Sequence, residues 1–317
     1  MIGLVDVEAA AARITGKVRR TPLIAAERLR RPVAGPGHLS LKLENLQVSG
    51  SFKARGVMSK LATLAGQSAA RHLVTCSGGN HGLAVAYGAM ATGATATIFL
   101  PEGVAADKIA KLRGWGARLE IVGPFWEETN RHAVAFAEAS GAAYLHPFAD
   151  PAVIAGQGTL ALELLADAPD LDTLLVAIGG GGLIAGVSLA AKALKPSIRV
   201  IGVEPVGAAT LHDSVKAGRV IELAGCQTAA TTLAARTTAP LNFDIVRANV
   251  DEVVLVSDDE MRAAARWLWF EQGIAAELGS SAACGALVAG RYLPRPGEHV
   301  CAVVCGAGTD GLDQGGA

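Results

Sequence analysis

Short apolar strands that pass through glycine-bearing turns into apolar helices recur along most of this chain, and no other feature narrows its architecture as far. Leu73-Val74-Thr75-Cys76 reads as a strand, Ser77-Gly78-Gly79-Asn80-His81-Gly82 as a turn and 83–92 as a helix. Strand 95–100, helix 108–113, strand 117–122, helix 127–140 and strand 143–145 continue the series. A second series starts at helix 157–165 and runs through strand 173–178, helix 183–194 and strand 198–203. Residues 205–250 read as irregular, and strand 253–256, helix 261–272, helix 280–289 and strand 300–305 follow. Ahead of both series lie an Ala-rich helix at 7–14 and a strand at 41–45. Strands that alternate with single helices need crossover connections, so the fold class is α/β with open, mostly parallel sheets.

The chain has 317 residues, 51% hydrophobic and 18% charged, enough for two lobes with real cores. Its 28 basic and 29 acidic residues leave a formal charge of -1, which removes the electrostatic case for nucleic acid as a partner. Two uncharged runs, 83–100 and 174–191, are interrupted by glycines, so no membrane span is expected. The start, Met1-Ile2-Gly3-Leu4-Val5-Asp6, lacks the basic opening of a secretory signal. Five cysteines show neither zinc spacing nor an even disulfide framework, and a cytoplasmic location is the expectation.

The chemistry centres on Ser49-Gly50-Ser51-Phe52-Lys53-Ala54-Arg55-Gly56. Leu41-Lys42-Leu43-Glu44-Asn45 alternates like a strand and Gly50 breaks it; Val57, Met58, Leu61 and Leu64 then recur at helical spacing. Lys53 thus sits at a strand-to-helix corner, where α/β proteins meet ligands. A solvated charge in a first helical turn is the plainer account of such a lysine.

Gly179, Gly180, Gly181 and Gly182 separate a buried strand from an apolar helix that opens with Leu183. Their N–H groups, free of side chains, can converge on a phosphate at the helix N-terminus, where partial positive charge lies. Two other readings stay open: a dinucleotide fingerprint with Glu204 downstream, and close helix–strand packing. Ser77, Gly78, Gly79 and Asn80 form a similar loop suited to a carboxylate, with an ordinary N-cap by Ser77 or Asn80 as the plain alternative. His81 reads as structural support. A lysine, a phosphate cup, a carboxylate cup and a thiol at Cys305 together suit a phosphate-bearing aldehyde that bonds to lysine. Pyridoxal phosphate answers that description.

With Glu44-Asn45-Leu46-Gln47, Gly156-Gln157-Gly158-Thr159 and Gly202-Val203-Glu204-Pro205 added, these motifs resemble the fold-type II pyridoxal-phosphate enzymes (tryptophan synthase β-like), in order and over nearly the whole chain. Within that group the resemblance is greatest to the threonine/serine dehydratase (ammonia-lyase) and serine racemase branch. It implies that Lys53 holds the cofactor covalently, with Phe52 beside the ring and Asn80 on its 3′-oxygen. It also implies that Gly179, Gly180, Gly181, Gly182 and Leu183 hold the phosphate, and that Cys305 faces the pyridine nitrogen. The substrate would lie at Ser77, Gly78, Gly79, Asn80 and His81. A large domain of 1–71 and 147–317, a small mobile domain of 72–146 and a homodimer are further implications.

A neutral thiol against the pyridine nitrogen weakens the ring as an electron sink and favours early loss of a β-leaving group. The expected activity is β-elimination from a small hydroxy-amino acid such as L-threonine or L-serine, giving a 2-oxo acid and ammonia, with Lys53 taking the Cα proton. Racemisation needs a second acid–base group, and Gly78 stands where the racemases resembled here carry serine. Phe148 after His146-Pro147 also looks more like the dehydratases. A β-replacement synthase, a lyase for a non-standard β-hydroxy amino acid and a non-catalytic binder are the remaining classes. Departures from the family pattern fall around the substrate: Ala230-Thr231-Thr232 for Ala-Asp-Gly, Glu277-Leu278 for Glu-Pro, and Gly306-Ala307-Gly308 for Gly-Gly-Asn. At the divalent-cation site of some members Glu204 and Ala208 remain, but Thr210 replaces an acid, which makes a poor site for a hard cation.

Overall fold

A computed structural model describes residues 2–312 apart from 34 and 36. Helix α1 (Leu4–Ile14) leads into strands β1 (Leu23–Ala25) and β2 (His38–Leu43), and α2 (Lys53–Thr63) follows. A second unit then forms from β3 (His72–Cys76), α3 (Asn80–Thr92), β4 (Thr95–Leu100), α4 (Ala106–Gly114), β5 (Arg118–Ile121), α5 (Trp126–Ser140) and β6 (Ala143–Tyr144). The chain returns through α6 (Pro151–Asp167), β7 (Thr173–Ala177), α7 (Gly182–Leu194), β8 (Arg199–Pro205), α8 (Thr210–Ala217) and α9 (Pro240–Asn249). It ends with β9 (Glu252–Val256), α10 (Asp258–Gln272), α11 (Ala282–Val288) and β10 (His299–Val304).

Two sheets result, ordered β1-β2-β10-β7-β8-β9 and β5-β4-β3-β6. Among the described strands only β1 pairs antiparallel, at the edge beside β2. In the register of the larger sheet, Val300 of β10 stands opposite Leu39 on one side and Thr173 on the other. Val300, Cys301, Ala302, Val303 and Val304 are all buried, the continuous apolar run expected of a central parallel strand covered on both faces. Loops leaving the C-terminal ends of β2, β10, β7 and β3 carry Lys53, Cys305, the tetraglycine and Ser77, the side of a parallel sheet where crevices form.

Close helix contact places α2. A β-carbon on Gly156 of α6 would lie 2.6 Å from Arg55 O and 2.7 Å from Gly56 Cα, so only glycine there lets the two backbones meet. The start of α6 is earlier than the spacing suggests, because Asp150 caps it by accepting from Ala152 N at 2.8 Å. Residues 205–250 are less irregular than read: α8 and α9 form there, only 8 and 10 residues long, and α9 opens on a proline. The two uncharged runs resolve into helix plus strand and strand plus helix. No helix among the described residues is long and apolar enough to cross a membrane.

Candidate active site

Lys53 opens α2, and the backbone leading to it is tied to the end of β10. Phe52 N donates to Cys305 O (3.2 Å), Ala307 N donates to Gly50 O (2.8 Å), and Ser51 bridges Gly306. The turn requires left-handed backbone at Gly50 (φ 83°), which glycine supplies without strain, and also at Ser49 (φ 58°). Lys53 Nζ donates to Pro147 O at 2.8 Å and lies 5.1 Å from the centre of the Phe52 ring. Burial lowers its pKa from 10.5 to about 8, while Cys305 and Glu277 pull the other way. An amine that can be neutral near physiological pH suits a nucleophile or a base.

Across the crevice, Asn80 is the first residue of α3, and its Nδ2 donates to Glu277 Oε1 at 2.7 Å. Ser280 Oγ donates to the same oxygen at 2.9 Å and accepts from Cys305 Sγ at 3.2 Å. Burial pushes the Cys305 thiol up to about 12, so it stays neutral and donates. Burial likewise raises Glu277 to about 7, opposed by the Ser280 and Asn80 hydrogen bonds and assisted by Asp310. Glu277 is a site residue that the sequence reading missed. Its partner Asn80 lies 197 positions away, and its only local signal was a departure from a family dipeptide.

The two glycine loops begin helices without side-chain caps: Gly79 precedes α3, and Gly181 (φ 88°) precedes α7. The plain alternative of an N-cap by Ser77 or Asn80 is therefore not what forms; instead Gly79 N donates to Ser77 Oγ at 3.3 Å. Both 13-residue helices present first-turn amides suited to anions. Packing also shapes the tetraglycine, since a β-carbon on Gly180 would overlap the Phe148 ring and one on Gly182 would lie 2.9 Å from Phe148 Cβ. Asn242 Nδ2 (2.8 Å) and Thr238 Oγ1 (3.1 Å) donate to Gly180 O and pin the loop. Leu183 is buried in the first turn of α7. His81 is buried, and its Nε2 donates to Leu145 O at 3.1 Å.

Glu204 is engaged by the first turn of α8. Its carboxylate accepts from Leu211 N (2.8 Å) and His212 N (2.7 Å), capping α8, and burial raises it to about 8. Ala208 is buried nearby, and the Thr210 hydroxyl donates to Ala235 O. One carboxylate already engaged by two amides does not fit a hard cation. Excess Ca²⁺, Mg²⁺ or EDTA is accordingly expected to leave the melting temperature unchanged. Thr210→Asp, which restores a second acid, should gain about 2–4 °C with Ca²⁺. A Ca²⁺-dependent rise in the unaltered protein would refute this reading.

The family described as pyridoxal-phosphate dependent enzyme matches residues 14–306. L-threonine ammonia-lyase of Thermotoga maritima is 37% identical over 310 residues, 98% of this chain and 76% of that protein. Phenylserine dehydratase of Ralstonia pickettii is 39% identical over 300 residues, 94% of this chain and 91% of that protein. Maize serine racemase superposes with a TM-score of 0.91 at 32% identity, covering 96% of this chain and 93% of that one.

Proposed function

Because the chain belongs to the pyridoxal-phosphate dependent enzymes, we propose that it catalyses β-elimination from a small hydroxy-amino acid such as L-threonine or L-serine, releasing a 2-oxo acid and ammonia. The observation that carries this is a desolvated lysine amine placed beside a neutral thiol at the end of one sheet. The residues fit the cofactor: an uncapped α7 start with side-chain-free amides for its phosphate, Phe52 beside the lysine, and Asn80 and Cys305 as neutral donors. Bound pyridoxal phosphate supplies an aldehyde that takes up the substrate amino group and a ring that draws electrons from its α-carbon.

Around it the chain's own groups divide the work. Amides of Ser77, Gly78, Gly79, Asn80 and His81 hold the substrate carboxylate, and Lys53 removes the α-proton once its amine is free and neutral. Cys305 cannot donate a full proton to a ring nitrogen, which favours loss of the β-hydroxyl over a long-lived carbanion. The likeness to maize serine racemase favours a second reading, racemisation. It asks for an acid–base group on the other face of the substrate. Gly78 has none, and a β-carbon there would press on both Val104 methyls at 3.0 and 3.1 Å.

The smaller sheet supports a lobe of 72–146 that closes over a larger one of 1–71 and 147–317. Trp269 and Phe270, adjacent and exposed on α10, support burial against a second copy in a homodimer. The free cysteines support a cytoplasmic protein. An amino-acid panel scored for 2-oxo acid, ammonia and chirality tests the activity. L-threonine and L-serine should yield both products. Racemisation of L-serine as fast as its deamination, or no 2-oxo acid from any amino acid, would overturn the proposal.

A further inference from the structure

Two glycines from different parts of the chain face one side chain, and a third lies against its backbone. A β-carbon on Gly79, ahead of α3, would lie 3.8 Å from Thr232 Cγ2. One on Gly179, ahead of α7, would lie 3.1 Å from Thr232 O, and one on Gly279, ahead of α11, would lie 2.5 Å from Thr232 Oγ1. Thr232 rides on a strap fixed at both ends. Thr228 Oγ1 and Ala229 N donate to Asp258 (2.5 and 2.7 Å), and Thr238 Oγ1 donates to Gly180 O. Between these anchors Ala230 and Leu233 are buried, while Thr231 and Thr232 are exposed. The core holds the strap without help from the Thr232 side chain, which is left to face the crevice.

We infer that Thr232 limits the size of the substrate's β-substituent, restricting the enzyme to compact aliphatic β-hydroxy-α-amino acids and excluding aryl ones. The inference rests on the proposed site. With the carboxylate held at 77–81, the cofactor phosphate at 179–182 and the α-carbon at Lys53, the β-substituent has to run between the first two loops. Thr232 stands there, with its methyl toward Gly79 and its hydroxyl against Gly279. Bulk at that point is tolerated because Gly279, which faces the Thr232 hydroxyl, has no β-carbon to collide with it.

The test compares the holoenzyme with Thr232→Gly, Thr232→Ala and Thr232→Val. Turnover is measured on L-serine, L-threonine and L-threo-phenylserine, whose β-carbons bear hydrogen, methyl and phenyl. The ratio of kcat/KM for phenylserine to that for threonine should rise about tenfold or more in Thr232→Gly, rise less in Thr232→Ala and stay near the unaltered value in Thr232→Val, which keeps the bulk. A ratio that does not move in Thr232→Gly and Thr232→Ala, or that moves equally in Thr232→Val, overturns the inference. Binding of the non-eliminating L-alanine and L-phenylalanine, followed by the cofactor absorbance, reads the same size limit without turnover. If no variant releases a 2-oxo acid but the L-phenylalanine to L-alanine affinity ratio still rises on removing bulk, the elimination reading fails and the size limit stands. If that ratio is also fixed, the size limit fails.

Discussion

Lys53→Ala is expected to reduce 2-oxo acid release by at least about 10⁴-fold, the upper range for a positioned acid–base group, and to abolish covalent retention of the cofactor. The fold should survive the change. Lys53 gives up one hydrogen bond, to Pro147 O at 2.8 Å, and its burial already disfavours the ammonium. The linkage sign supports this. A lysine whose folded pKa is depressed from 10.5 to about 8 makes the folded state the weaker proton binder, so below pH 8 the group opposes folding. Removing it at pH 7 should therefore leave the melting temperature of the cofactor-free protein unchanged or raised. Borohydride reduction followed by mass analysis should label position 53 in the unaltered protein and nothing in the variant. Turnover in Lys53→Ala within tenfold of the unaltered enzyme, or a label elsewhere, would remove Lys53 from the chemistry.

What could be read from the chain and what could not separate along one physical line. Lys53 at a strand-to-helix corner, the tetraglycine before α7 and the Ser77–Asn80 turn before α3 are local patterns, written in spacing and in glycine's conformational freedom. Glu277 is legible only in three dimensions, since Asn80 donates to it from a distant part of the chain, Ser280 from the short turn that follows it, and Cys305 connects to it through Ser280. The strand at 41–45 shows the same limit. It ends at Leu43, and Glu44 turns into a short 3₁₀ segment because its carboxylate is drawn to Arg55. Local alternation cannot announce a partner eleven residues on. Thr232 was visible as a departure from a family pattern, but the position of its side chain between Gly79 and Gly279 was not.

Arg55→Leu is expected to cost about 3–5 kcal/mol of folding stability, because it strands charge that the fold has buried. Arg55 Nε and Nη2 donate to the two oxygens of Glu44 at 2.8 Å, and Nη1 donates to Glu163 Oε1 at 2.7 Å. Lys42 Nζ donates to Glu163 Oε2 and to Thr21 O, both at 2.8 Å. Lys42, Glu44 and Arg55 are each 0% exposed, and two cations meet two anions. Burial works against the charge on Arg55, yet Glu44 and Glu163 outweigh it and hold the guanidinium above its ordinary pKa. Glu163 is held below its ordinary value by Arg55 and Lys42, despite its own partial burial. That part of the stability is present above the unfolded carboxylate pKa of 4.5 and is lost as pH falls through the lower folded value, so the gap between unaltered and variant protein should narrow in acid. Urea denaturation should show a lower midpoint with an unchanged slope. Arg55→Leu combined with Glu44→Leu leaves Lys42 paired with Glu163 and should be less destabilised than Arg55→Leu alone. Because Arg55 lies two residues beyond Lys53, the same cluster sets the first turn of α2 and with it the aim of the amine. The single variant should therefore bind cofactor more weakly even where it remains folded. A loss below about 1 kcal/mol, the level of an exposed pair, would mean the cluster does not anchor that helix.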